Sequence, residues 1–115
     1  MSVHKKIFLA SRFEEFSYIR KMLKEELVNL GMDIVDLNDN IADSHPPIER
    51  SLENVRRSDI MILLIGDTYG TVPFEELKSY THLEYDEALN NQLDIYIFCI
   101  GKYLYFKTYV DCIIN

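Results

Sequence analysis

SDIMILLIGDTYG, the stretch from Ser58 to Gly70, decides the fold. Within it, six apolar residues follow one another from Ile60 to Ile65, and no polar residue stands at alternate positions. A strand of this kind has both faces covered, which is typical of a central strand in a parallel sheet. Gly66 follows directly, at the edge where open α/β sheets bind their ligands. The stretch therefore predicts both a fold class and the place of a site.

The composition is that of one globular domain without a basic surface. The chain has 115 residues, of which 48% are hydrophobic and 27% charged, and its formal net charge is -7. Because nucleic-acid binders draw on clustered Lys and Arg, we expect no nucleic-acid partner. The apolar run Ile7–Ala10 is too short for a signal peptide or a membrane span. Two cysteines give no disulfide framework, so we expect a cytoplasmic protein without a membrane partner.

Strand and helix patterns alternate along the rest of the chain. Apolar residues recur every three or four positions from Phe16 to Leu30, which predicts an amphipathic helix capped by Gly31, with charged residues such as Arg20 filling its other faces. The same reasoning gives seven elements in the order strand, helix, strand, helix, strand, helix, strand. The predicted strands are Val3–Ala10, Met32–Leu37, Asp59–Gly66 and Asp94–Ile100, and the predicted helices run from Glu14 to Leu30, Pro46 to Val55 and Thr81 to Asn91.

This order predicts an α/β fold of three layers around a doubly wound parallel sheet. Right-handed crossovers between the strands give the strand order 2-1-3-4, which makes the first and third strands neighbours. The turn at Ser11 and the loop at Asp67 then flank one crevice at the switch point. Residues 1–101 are predicted to form this domain. The apolar residues 102–115 either complete it, as a fifth strand or a closing helix, or form an interface with a partner.

Glu84 has a structural and a functional interpretation. Thr81 and Glu84 have the spacing of a capping box, in which each side chain bonds the backbone N–H of the other residue. Glu84 also stands at the margin of the apolar stripe, where a different rotamer would point its carboxylate into the crevice as a catalytic group.

The two loops at the crevice supply the other site residues. The turn after the first strand could bind an anion such as a pyrophosphate, or could be an ordinary helix start. In the loop after the third strand, an aromatic side chain could stack on a base or ribose, or could simply cover the sheet edge. The residues predicted to bind substrate are Ser11, Arg12, Phe13, Asp67, Tyr69 and Gly70. No calcium loop, zinc-ligand spacing or Walker loop is complete, so we expect no metal and no cofactor.

Three stretches of the chain resemble motifs of the bacterial domain of unknown function 4062 family. Ile7–Glu14 resembles its "FISSTFxDL" opening, Ser58–Gly70 resembles "SDIYIGIIGxRYG", and Ser79–Ala88 resembles "SxTExEYxxA". The family is similar in plan to TIR and nucleoside deoxyribosyltransferase-like domains. It often stands at the N-terminus of larger NTPase proteins and recurs in bacterial anti-phage defence. The resemblance thus implies a flavodoxin- or TIR-like fold.

The resemblance also implies a function. In the enzymatic TIR relatives a glutamate early in the equivalent helix cleaves the nicotinamide–ribose bond of NAD, and Glu84 stands at that position. The resemblance implies a nucleotide-binding effector domain of a defence or signalling system, which self-associates or docks to a separate effector protein. As an enzyme it would be a NAD nucleosidase or a nucleoside-processing N-glycosidase. Arg12, Thr68 and His82 depart from the usual Thr, Arg and Glu, which changes the charge of the pocket.

Two other functional classes remain open at this stage. The chain could be a non-catalytic interaction module, in which the same surfaces and the apolar residues 102–115 drive assembly. It could also sense a nucleotide without turning it over. Whether the chain is an enzyme is therefore left to experiment.

Overall fold

A computed structural model describes residues 4–11, 16–35, 47–66 and 70–99 of the chain. Seven elements lie in these ranges, in the predicted order of alternating strands and helices. The strands are β1 (Lys6–Ala10), β2 (Asp33–Ile34), β3 (Ile60–Ile65) and β4 (Asp94–Cys99), and the helices are α1 (Ser17–Asn29), α2 (Ile48–Arg56) and α3 (Tyr80–Asn90).

The four strands form one parallel sheet in the order β2-β1-β3-β4. This confirms the predicted strand order and the doubly wound plan. β1 and β3 pair directly, with Ala10 opposite Leu63, and β3 pairs on its other side with β4. β3 therefore lies between two strands, as its unbroken apolar run predicts.

One face of the sheet packs against α2 and α3. Side chains on a strand alternate between the two faces, and those on this face belong to a single buried cluster with residues of both helices. The cluster consists of Phe8, Ala10, Val55, Met61, Leu63, Ile65, Tyr85 and Ala88. α2 and α3 also pack against each other, and Arg56 joins them through a bond from its Nε to Glu87 Oε1 of 2.7 Å.

α1 lies on the opposite face. The chain turns from β1 to β2 in one direction and from β2 back to β3 in the other, so right-handed crossovers put α1 opposite α2. α1 packs against β2, and Phe16, just before its first residue, is buried. Ile7 and Leu9, which alternate with the residues of the other face, are buried as well.

Gly31 ends α1 as predicted. Its φ is +88°, a left-handed conformation that favours glycine, and the space around its α-carbon is open. The backbone N–H of Gly31 donates to Val28 O and that of Met32 to Leu27 O, at 2.9 and 3.0 Å. These two bonds form a Schellman motif, which satisfies carbonyls that the last helical turn leaves open.

The strand β4 is more exposed than its apolar sequence indicates. Ile95 and Ile97 pack against the buried cluster, whereas Tyr96 and Phe98 on the other face are 55% and 51% exposed. Leu89 of α3 is half exposed as well. Among the described strands β4 pairs with β3 alone.

Some predictions fall outside the described ranges. The structure does not describe residues 100–115, so the domain boundary at residue 101 and the role of residues 102–115 stay predictions. The same is true of the end of the second predicted strand, beyond residue 35. Among the helices that are described, none has the length and apolar character needed to span a bilayer.

Candidate functional site

The carboxyl ends of β1 and β3 meet at one edge of the sheet. Because the two strands are paired and parallel, Ser11 after β1 and Gly66 after β3 leave the sheet at the same edge. α3 follows β3 and returns the chain to the start of β4, so it begins at this edge and runs back along the sheet. The cluster that joins Ala10 to Tyr85 and Ala88 places α3 over the end of β1.

α3 begins at a cap that differs from the predicted one. Ser79 is the N-cap residue, with extended backbone angles, and its hydroxyl accepts a bond of 3.1 Å from the backbone N–H of His82. Thr81 already lies inside the helix, so the interpretation of Thr81 and Glu84 as a capping box is wrong. Both Ser79 and Thr81 are suitable N-cap residues. The sequence favoured Thr81 because Glu84 stands three residues after it, as in a capping box.

Because Ser79 caps α3, Glu84 is not the acidic member of a capping box. Glu84 is the fifth helical residue, and its side chain is 8% exposed, on the same buried face as Thr81, Tyr85 and Ala88. A carboxylate is rarely buried to this degree without a specific reason.

Tyr80 lies one helical turn before Glu84. Burial raises the pKa of the Tyr80 hydroxyl, and the negative charge of Glu84 raises it further. Residues four apart share a helix face, so the two side chains are neighbours on α3. Tyr80 therefore remains a protonated phenol at neutral pH, beside an acidic side chain at the first turns of α3.

Arg20 is the residue of this edge that sequence reasoning missed. It was expected on an outer face of α1, but its side chain is only 9% exposed. Its Nη1 donates to Leu9 O and to Ser11 Oγ, both at 3.0 Å. Arg20 is therefore hydrogen-bonded to the chain at the end of β1. The available signal was its spacing of four from Phe16, which places a charged residue within the apolar stripe.

The structure places three of the seven predicted site residues. Glu84 lies on α3, Ser11 lies directly after β1, and Gly70 lies in the connection from β3 to α3 with a φ of +101°, which accounts for a glycine there. The other four predicted site residues, Arg12, Phe13, Asp67 and Tyr69, fall outside the described ranges. Their roles stay predictions.

His82 occupies the third helical position of α3, where the family pattern has Glu. Its side chain is 11% exposed, and its Nε2 lies 4.0 Å from Asp86 Oδ1. Asp86 also bonds Lys78 Nζ at 2.7 Å. Burial lowers the pKa of His82; Asp86 opposes this shift, and Lys78 adds to it.

The lowered pKa of His82 predicts a loss of stability in mild acid. An unfolded chain takes up the histidine proton near about pH 6.5, and the native state takes it up only at lower pH. In that window the unfolded state binds more protons, so the free energy of unfolding falls as the pH falls. Thermal unfolding between about pH 7.5 and 5.5 should show a smaller loss of Tm for H82Q than for the unmodified chain.

The matched control for this test is H4Q, which removes an exposed histidine whose Nδ1 pairs with Gly31 O. The H4Q profile shows what the loss of an exposed histidine does by itself. An H82Q profile that runs parallel to that of the unmodified chain would show that His82 is not the group responsible.

Comparison with known proteins identifies the family. No curated protein matches the sequence significantly. Solved structures that match include the CMP N-glycosidase BcmB of Clostridium botulinum, with 17% identity over 94% of this chain and 98% of that chain, and a TM-score of 0.51. At this identity the likeness shows a shared fold. The sequence profile of the domain of unknown function 4062 (DUF4062) matches residues 6–105, so the chain belongs to the DUF4062 family.

Proposed function

We propose that this chain binds a nucleotide at the carboxyl edge of β1 and β3 and hydrolyses its N-glycosidic bond. The observation that carries the proposal is the burial of the acidic residue Glu84, on the helix that starts at this edge and packs over the end of β1. The fold shared with a CMP N-glycosidase supports the same reaction class. NAD and nucleoside monophosphates are the substrates to be compared.

The proposed reaction places positive charge where a carboxylate is useful. The bond between the ribose C1′ and the base nitrogen breaks, and its electron pair leaves with the base. Charge then develops on C1′ and the ring oxygen, as in other glycoside hydrolyses. A fixed carboxylate beside C1′ stabilises that charge. Water adds to C1′. With CMP or AMP the proton of that water ends on the base nitrogen, and the products are a free base and ribose phosphate. With NAD the nicotinamide leaves as a neutral base, the proton goes to solvent, and the other product is ADP-ribose.

Base release from a panel of substrates tests this proposal. The purified chain is incubated with CMP, AMP, cytidine and NAD, and the free bases are separated and quantified by liquid chromatography. We expect release of a base from at least one nucleotide, at a rate proportional to protein concentration. The assay is repeated over a range of protein concentrations, because TIR-like enzymes commonly require assembly. Absence of release throughout that range would contradict the proposal.

An interaction module is the second candidate function. Phe74 and Leu77, in the connection between β3 and α3, are 91% and 96% exposed. A bond of 3.0 Å from the N–H of Glu76 to Pro73 O closes the turn that holds Phe74, and Pro73 itself is buried. Large apolar side chains fixed in solvent often mark a contact with another protein. The function as an interaction module would be supported if no base is released and an F74S/L77S variant changes the oligomeric state.

The biological setting is proposed from the family resemblance. We place the activity in a bacterial defence or signalling system in the cytoplasm, with self-association or a separate effector protein as the partner.

A further inference from the structure

The connection from β3 to α3 holds an exposed tip in a fixed position. The backbone N–H of Tyr80 donates to Thr71 O at 3.0 Å, which closes this connection into a compact loop. Within it, the N–H of Glu76 donates to Pro73 O, also at 3.0 Å, and Pro73 is buried. Because its base is anchored, the end of the loop needs little ordering when it binds a partner. The four residues at that end form the tip: Phe74, Glu75, Glu76 and Leu77.

The tip combines apolar and acidic side chains in solvent. Phe74 and Leu77 are 91% and 96% exposed, and the two glutamates between them are exposed as well. Glu75 has a φ of +66°, a left-handed conformation that is uncommon for a residue other than glycine. Lys78 follows the tip, but its Nζ bonds Asp86 at 2.7 Å, so its charge is compensated within the chain. The surface complementary to the tip is therefore apolar and positively charged.

A surface of that kind lies on the N-terminal half of α1. Tyr18 and Met22 are 77% and 45% exposed, and Lys21 is exposed on the same side of the helix, three residues after Tyr18. Tyr18, Lys21 and Met22 form the α1 patch. Residues 17–24 of α1 include three cations and no acidic residue, so this half of the helix is positively charged. The α1 patch is therefore complementary to the tip in both respects.

Both surfaces lie towards the same edge of the sheet. The connection that carries the tip leaves the carboxyl end of β3. α1 begins at the same edge, because it takes the chain from the end of β1 back to the start of the parallel strand β2. Two copies related by a two-fold axis can therefore make the contact twice, with each tip on the α1 patch of the other copy.

We propose that this chain forms a two-fold pair in which the tip of each copy packs on the α1 patch of the other. Phe74 and Leu77 supply the apolar contact with Tyr18 and Met22, and the glutamates of the tip attract Lys21. The inference rests on the second candidate function and deepens it: it names the partner, a second copy of the chain, and the surface that receives the tip. It holds whether or not the chain releases a base.

Sedimentation equilibrium of the purified chain tests the pair. The measured mass should rise from 13.6 kDa towards twice that value as the concentration increases to roughly 1 mM, a range that includes weak protein contacts. F74S/L77S and Y18S/M22S should each weaken association about 10-fold or more, because each removes two apolar anchors from the contact.

The matched control is V28S/L30S, which makes the same kind of change at the other end of α1. Val28 and Leu30 are 51% and 73% exposed and lie outside the α1 patch. This variant should associate as the unmodified chain does. Circular dichroism verifies that every variant is folded, as expected for substitutions of exposed residues.

A charge exchange tests which surfaces meet. E75K/E76K and K21E should each associate about 10-fold more weakly than the unmodified chain, since each places like charges opposite one another. A mixture of these two variants should form mixed pairs, because both contacts of a mixed pair again join opposite charges. Added salt should weaken the mixed pairs and those of the unmodified chain alike.

The outcomes separate this inference from the functions proposed above. A mass of 13.6 kDa at every concentration overturns the inference. Association that F74S/L77S leaves unchanged overturns the inference and the second candidate function together. If F74S/L77S dissociates the pair but Y18S/M22S does not, or the mixture gains nothing, the tip binds another surface and only the inference is overturned. No nucleotide is present in these measurements, so the proposed hydrolysis is judged separately.

Discussion

E84Q is expected to abolish base release while leaving the fold intact. Gln has nearly the same size as Glu and can keep hydrogen bonds, but it lacks the negative charge that stabilises the developing charge on C1′. The loss of a well-placed charged group of this kind lowers a rate by about 10² to 10⁴-fold. Glu84 does not cap α3, so the substitution should not open the helix start. Rates are compared under conditions in which both proteins are folded and bind nucleotide.

The matched control is E87Q, the same substitution three residues further along α3. Glu87 bonds Arg56 at 2.7 Å, on the contact between α2 and α3, and has no place in the proposed site. Gln can still accept that bond, so E87Q should release base at nearly the rate of the unmodified chain. Full activity of E84Q would remove Glu84 from the mechanism. Equal losses in E84Q and E87Q would point to a general effect on α3.

L63A is expected to produce a large loss of stability. Leu63 lies in the middle of β3, is 0% exposed, and belongs to the cluster that joins the sheet to α2 and α3. Removing three methyl or methylene groups from a buried site costs about 3 kcal/mol, with the cavity included. For a domain of this size that loss lowers Tm by roughly 10 °C. Urea unfolding followed by circular dichroism measures the change in the free energy of unfolding.

L30A provides the control for the same change of side chain. Leu30 follows the last residue of α1 and is 73% exposed, so its truncation should change the free energy of unfolding by less than about 0.5 kcal/mol. A loss for L63A as small as that for L30A would contradict the central position of β3 in the core.

The fold was predictable because its strongest signals are local and mutually consistent. The unbroken apolar run Ile60–Ile65 is the observed β3, and Gly31 ends α1 with the left-handed conformation that its position requires. The parallel order then follows from the alternation of strands and helices, since right-handed crossovers leave few arrangements. These inferences need no knowledge of distant contacts.

The site was predictable only in outline, because its details depend on competition between neighbours. Ser79 and Thr81 are both suitable caps, and only the packing of the helix decides between them. The burial of Arg20 depends on hydrogen-bond acceptors at the end of β1. The spacing of residues within α1 does not reveal those acceptors. Tyr96 and Phe98 are half exposed on β4, the last strand of the described sheet, and their burial depends on packing with other elements rather than on their own hydrophobicity.

The cap at Ser79 separates two kinds of change that the chain can undergo. An added or deleted residue between Gly70 and Ser79 alters the connection but leaves the helical phase after Ser79 untouched. One inserted residue between Ser79 and Glu84 would turn the carboxylate by about 100° around the helix, away from the sheet. The connection before Ser79 can thus change in length and sequence, and with it the ligand preference of the site. The number of residues between Ser79 and Glu84 cannot change without moving the carboxylate.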